Sequence, residues 1–351
     1  GNTYAWTITG GTIVSGANTA AVTVDWGAAG AGTLEVTETV TATGCVNTAS
    51  YNVTINTLPA PAITGDNSVC EFVAGEVYST TNIAGNTYAW TITGGTIVSG
   101  ANTAAVTVDW GAAGAGTLEV TETVTATGCV NTASYNVTIN PLPAPAISGD
   151  NSVCEFDAGE VYNTTNIAGN TYAWTITGGT IVSGANTAAV TVDWGAAGAG
   201  TLEVTETVTA TGCVNTASYN VTINPLPAPA ISGDNSVCEF VAGEVYSTIN
   251  IAGNTYAWTI TGGSIVSGAN TAAVTVDWGA AGAGTLEVTE TVTATGCVNT
   301  ASYNVTINPL PAPAISGDNS VCEFVAGEVY STINIAGNTY AWTITGGSIV
   351  S

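Results

Sequence analysis

The residues equipped for chemistry are carboxylates, thiols and aromatics: the chain holds 25 Asp and Glu, eight Cys and nine Trp, with no Lys, Arg or His. Paired carboxylates hydrolyse glycosides when both face one cleft, one as acid and one as nucleophile or base. Glu119 and Glu122 are close in sequence, but on a β-strand they have opposite parity and point to opposite faces. A catalytic thiol needs a neighbour that lowers its pKa, and the sequence has no His or Lys to do so. The Gly-Ala-Ala-Gly-Ala-Gly stretch at 111–116 has the composition of a phosphate loop, yet no Lys and no helical pattern follow it. It reads as a flexible loop between strands D and E. Without Lys there are also no Lys–Asn isopeptide crosslinks. These patterns predict that the chain is not an enzyme.

The cysteines read as structural. Their spacings alternate between 25 and 59 residues, which fits no zinc-binding knuckle and comes with no His ligand. Disulfides belong to an oxidising compartment. The simplest pairing is within a domain: Cys70 with Cys129, Cys154 with Cys213, and Cys238 with Cys297. The rival is a staple between domains, in which Cys70 reaches Cys213. Hard oxygen ligands of the kind Ca²⁺ takes recur as an Asp and a Glu near each connector. The candidates are Asp66 with Glu71, Asp150 with Glu155, Asp234 with Glu239, and Asp318 with Glu323. The alternative is an Asx-type turn, and no other cofactor is implied. Trp90, Trp110 and Tyr88 share the parity of Val and Ile neighbours, which marks them as core rather than as sugar-stacking platforms. Glu122 also has core parity. With no cation to pair with, it is expected either as a buried, hydrogen-bonded acid or, preferably, as a partly exposed or interface residue.

The elements that position these residues come from a repeat. The string Gly-Asn-Thr-Tyr-Ala-Trp-Thr-Ile-Thr-Gly-Gly starts at Gly1 and returns at Gly85, Gly169, Gly253 and Gly337, a period of 84 residues. The first two copies differ at Thr57/Pro141, Thr64/Ser148, Val73/Asp157 and Ser79/Asn163, and the third and fourth only at Thr180/Ser264. The copies repeat one design, and the chain reads as a window cut from a longer array. Within a repeat the apolar period is two. Tyr88, Trp90 and Ile92 alternate with Ala and Thr, as do Val106, Val108 and Trp110 with Thr107 and Asp109. Gly-Gly and Thr-Gly-Cys turns separate the runs, and helix signals are absent. About seven short strands per repeat predict an all-β sandwich. Pro141-Leu-Pro143 lacks ladder donors and reads as a stiff connector. Cutting after Pro59, Pro143, Pro227 and Pro311 gives whole domains at 60–143, 144–227 and 228–311. A partial domain with strands C to G precedes them at 1–59, and one with strands A to C follows at 312–351.

The run Pro-Ala-Ile-Ser-Gly-Asp-Asn-Ser-Val-Cys-Glu-Phe, the Tyr-x-Trp of strand C, Val-Thr-Val-Asp-Trp-Gly and the Thr-Gly-Cys turn resemble the PKD-like repeats of Bacteroidota surface and secreted proteins. The resemblance recurs once per repeat and covers the whole chain, departing from the better-known PKD motif in having Thr-Gly-Gly for Gly-Asp-Gly. It implies a tandem array of Ig-like, PKD-like seven-stranded sandwiches used as spacer or adhesive modules outside the cell. Composition narrows the partners. A formal charge of −25 with no cationic side chain excludes phosphate neutralisation and nucleic-acid binding. It equally disfavours anionic membranes, and no apolar run is long enough to insert in one. The expected function is a structural or adhesive rod, stalk or filament at the cell surface, in contact with neighbouring copies and with surface glycans. The alternatives are spacer or carbohydrate-binding modules of a secreted hydrolase and an ice-binding-type adhesin stalk. Uncompensated charge gives a first prediction. Millimolar Ca²⁺ or Mg²⁺, or moderate acid, compacts or stiffens the array by relieving repulsion. A melting temperature and scattering profile indifferent to chelator and salt would refute it.

Overall fold

The computed structural model describes residues 1–350, and among them strands and turns are the only regular elements. The chain opens with β1 (Asn2–Thr9), β2 (Gly11–Ser15), β3 (Thr23–Trp26), β4 (Gly30–Val40) and β5 (Cys45–Ile55). They form two sheets, β1-β4-β5 and β2-β3. The first complete repeat contributes seven strands, A to G of the sandwich: β6 (Ser68–Cys70), β7 (Glu76–Ser79), β8 (Asn86–Thr93), β9 (Gly95–Ser99), β10 (Ala105–Trp110), β11 (Gly114–Val124) and β12 (Cys129–Asn140). The same seven recur between Ser152 and Asn224 and between Ser236 and Asn308.

Each complete repeat packs a four-stranded sheet, β6-β12-β11-β8, on a three-stranded sheet, β7-β10-β9. The pairs are antiparallel except β6 with β12, which run parallel and set Cys70 beside Asn140. Alternation decides the faces. Tyr88 and Trp90 of β8 and Leu118 and Val120 of β11 turn inward, while Thr87, Ala89 and Thr91 stay exposed. On the outer face Thr121 and Thr132 share a hydroxyl hydrogen bond of 3.0 Å, and Ser134 donates to Glu119 at 2.8 Å.

An aromatic cluster links the two sheets through Tyr78, whose ring centroid lies 6.0 Å from that of Tyr135 on β12. Tyr78 of β7, fully buried, meets Trp110 of β10 edge-on with ring centroids 5.9 Å apart. Trp110 Nε1 donates to the Tyr78 hydroxyl at 3.2 Å, and that hydroxyl donates to the Asp66 carbonyl at 2.7 Å. Gly116 lies under the Trp110 ring, where a Cβ would come within 2.3 Å of it. The glycine is therefore a packing requirement of β11.

Three expectations are corrected. Gly94, with φ of +80°, turns the chain, but Gly95 begins a new strand rather than ending the run. That strand, β9, carries no clean alternation in the sequence because a bulge at Val98 breaks its register against β10. Residues 111–116 join strands E and F, not D and E, and Gly114 to Gly116 belong to β11 itself. The 312–351 segment is expected to hold strands A to C. Among its described residues only an isolated bridge forms, Ser316 with Ser331. In the complete repeats β6 needs β12 and β7 needs β10, and this segment contains no counterpart of either partner.

Burial holds the Tyr78 hydroxyl, ordinarily ionising near 10, up to about 12, and it does the same to Tyr162. The fold thus favours the neutral phenol. Its contribution is complete below pH 10 and is lost as pH rises from 10 towards 12. With thiols blocked, the urea midpoint falls across that window. Changing Tyr78, Tyr162 and Tyr246 together to Phe flattens the slope. An equally steep slope in that variant would assign the alkaline loss elsewhere.

Candidate functional site at the domain junctions

The features that set these domains apart from isolated sandwiches gather where one meets the next. Strand A ends at Cys70, and Cys70 is bonded to Cys213 of the following domain with 5.5 Å between Cα atoms. Cys154 is bonded to Cys297 in the same way. Both bonds span 143 residues. The preferred intradomain pairing is therefore wrong, and the parallel A–G pair explains why. Cys70 lies beside Asn140 at the end of β12, whereas Cys129 begins that strand. The length of β12 separates them by about 35 Å, far beyond the roughly 7 Å that a disulfide tolerates. The turn cysteine of the next domain is at hand instead. Cys213 and Cys297 are fully buried in their bonds. Cys45, Cys129, Cys238 and Cys322 are free thiols.

The connector between the stapled domains is gripped from both sides. Glu71, beside the staple, accepts the Leu142 amide through Oε1 at 2.9 Å and the Ala113 amide through Oε2 at 3.1 Å. Its own amide donates to Asn140 O at 2.8 Å. From the following domain, Asn215 Nδ2 donates to the carbonyl of Pro143 at 2.9 Å, and Pro143 is buried. The next junction repeats the pattern, with Glu155 on Leu226 and Ala197 and Asn299 on Pro227. Asn140 completes it by donating to Ser68 Oγ and Val69 O, tying strand G to strand A. Asp157, which replaces Val73, accepts the Cys154 amide at 2.8 Å.

The grip commits the glutamates of the Asp/Glu candidates. Glu71, Glu155 and Glu239 hold backbone amides with both oxygens. Asp66, Asp150, Asp234 and Asp318 present their backbone carbonyls to Tyr78, Tyr162, Tyr246 and Tyr330. Glu323 is exposed. Among the described residues no three acidic or thiol side chains converge as a cation cage would require.

Glu122 is buried, 1% exposed, rather than partly exposed as preferred. It lies opposite Tyr88 on β8 and Asn131 on β12. Asn86 Nδ2 donates to its Oε1 at 2.6 Å, and the Tyr88 hydroxyl lies 3.3 Å from the same oxygen. Neutral donors thus take the place of the missing cation. Tyr88, Trp90 and Trp110 are all buried, so none offers an open ring face to a sugar. Each complete repeat exposes an aromatic that lies outside the alternating strands: Phe72, Phe156 and Phe240 are 65–67% exposed with φ of 60–65°. A left-handed backbone is rare for a bulky residue, and only exclusion of Phe from the alternating pattern could have flagged it.

Thiol counting tests the staples. The oxidised, denatured chain exposes four alkylatable thiols if each staple forms and two if pairing is intradomain. Replacing Cys70 and Cys154 by Ser together leaves six thiols, none paired. A count of two in the unmodified chain would overturn the junction geometry.

The PKD-like domain model matches residues 56–139, 140–223 and 224–307. No curated protein sequence matches the chain. Among solved structures, four cadherin domains of Drosophila N-cadherin are similar at 11% identity, covering 88% of this chain and 92% of theirs, with a TM-score of 0.27. Invasin, a bacterial integrin-binding protein, is similar at 13% identity over 90% of this chain and 73% of its own, with a TM-score of 0.29. The Bacteroides ovatus SGBP-B, solved with a mixed-linkage heptasaccharide, is 16% identical over 72% of each chain, with a TM-score of 0.18. Three consecutive matches of 84 residues cover well over half of the sequence, and the chain belongs to the PKD-like domain family as a tandem array.

Proposed function

We propose that the chain is a structural and adhesive repeat protein that works outside the cell, at its surface, as a long rod built of domains 60–143, 144–227 and 228–311. The observation that carries this reading is the junction. A disulfide and a clamped proline connector both tie each domain to the next, an arrangement of use where length and direction must be kept. Disulfides favour an oxidising location, and uniform negative charge keeps neighbouring rods apart until cations screen it. The reading assigns no catalysis. The carboxylates of the junction and core are engaged by amide and hydroxyl donors, and the chain holds no His or Lys to activate a thiol. Contact with parallel copies or with surface glycans falls to the outer faces. There the ladder of Thr, Ser and Asn side chains and the recurring Phe72 position are open to a partner.

Electron microscopy of the oxidised chain tests the reading. Straight particles are expected, with a constant rise per domain of about 35–40 Å, the length of a long strand. Reduction loosens them into bent strings. Particles equally flexible with and without reductant would defeat the rod, and hydrolase activity in the purified repeats would defeat the non-catalytic assignment.

A further inference from the structure

The staples change what tension does to the array. In the middle domain, strand A ends at Cys154 and strand G starts just after Cys213. Cys213 is bonded to the preceding domain and Cys154 to the following one. From Cys213 the chain runs 25 residues, through strand G, the connector and the next strand A, to Cys238. From Cys129 an equivalent stretch runs to Cys154 and crosses its disulfide to Cys297, where the next strand G begins.

We infer that the staples turn the tandem array into two parallel covalent rails made of strands G and A, with the remaining strands of each domain hung between them. The rails are staggered by one repeat and run in the same direction. They lie side by side in every complete domain, because A pairs parallel with G: Ser152 with Thr222, Val153 with Ile223, Cys154 with Asn224. Asn224 pins them by donating to Ser152 Oγ and Val153 O at 2.9 Å. Strands B to F, between Cys154 and Cys213, form a rung that joins one rail to the other. Along a rail, two domains are crossed by 25 residues and one disulfide. Fully extended, that stretch reaches about 90 Å, against about 75 Å for two folded domains in line. The stapled rod is therefore nearly inextensible, and a rung that unfolds adds little length. The connectivity stands on the bonds alone. That tension is the load it meets rests on the stalk reading above.

Single-molecule stretching of the full chain, tethered at Gly1 and Ser351 with free thiols alkylated, tests the rails. The fully extended oxidised chain is expected to be shorter than the reduced one by two repeats of polypeptide, about 600 Å. Independent intradomain loops would hide a similar total, so single variants decide between them. Cys129→Ser leaves the oxidised length unchanged, and Cys70→Ser or Cys154→Ser lengthens it by one rail segment, about 90 Å. The readout is covalent length, taken on variants in which thiol counting first shows that the remaining staples have formed. Lengthening by about 200 Å in Cys129→Ser, or no response of the parent chain to reductant, would overturn the rails. Neither result bears on whether the imaged particle is a rod.

Discussion

A chain without a single cationic side chain must solve every problem of a buried or crowded carboxylate with neutral donors, and the architecture follows from that constraint. Glu122 is held by the Asn86 amide and the Tyr88 hydroxyl. Asp109 accepts the Gly75 amide at 2.8 Å, and Glu71 accepts two amides from separate segments. Such bonds to charged acceptors are stronger than neutral ones. They also bind side chain to backbone, so each carboxylate fixes a piece of main chain. The acids act as clasps at the ends and junctions of the sandwich, where an ion pair would do the work in other proteins.

The same constraint shapes the core. With no charged partner available, the sheets are fastened by packing and by uncharged polar groups. The Tyr78–Tyr135 ring contact does this between the sheets, while the edge-on Tyr78–Trp110 pair, with hydrogen bonds from indole to phenol to the Asp66 carbonyl, ties β7 to β10 within one of them. On the solvent face, Thr and Ser ladders serve the role that salt bridges often fill. Their short side chains lose little entropy when fixed, and they present an even surface.

Much of this was legible in the residues. The repeat, the period-two alternation and the Gly-rich turns give the sandwich and its core, and Trp90, Trp110 and Tyr88 are buried as their parity indicates. What could not be read was anything set by which strands are neighbours. The disulfide partner of Cys70 depends on strand A lying parallel to strand G, and a one-dimensional spacing of 59 residues points to the wrong cysteine. Glu71 looked like a cation ligand because the amides that occupy it come from residues 113 and 142, distant in sequence. Strand β9 was hidden by its bulge, and Phe72 by a backbone conformation that no pattern of side chains announces.

The reach of the staple also orders the birth of the molecule. As the chain is made, Cys129 emerges well before Cys213, so the next thiol offered to Cys70 is not its partner. A folded sandwich refuses the early bond by keeping the two cysteines at opposite ends. An unfolded one would accept it, since nearby thiols find each other sooner. Each domain must therefore fold before it is oxidised. The near-identity of successive repeats makes that sequence of events matter more, because any repeat could exchange strands with another. The completed bond to the following domain acts as a ratchet that records correct folding on both sides of the junction.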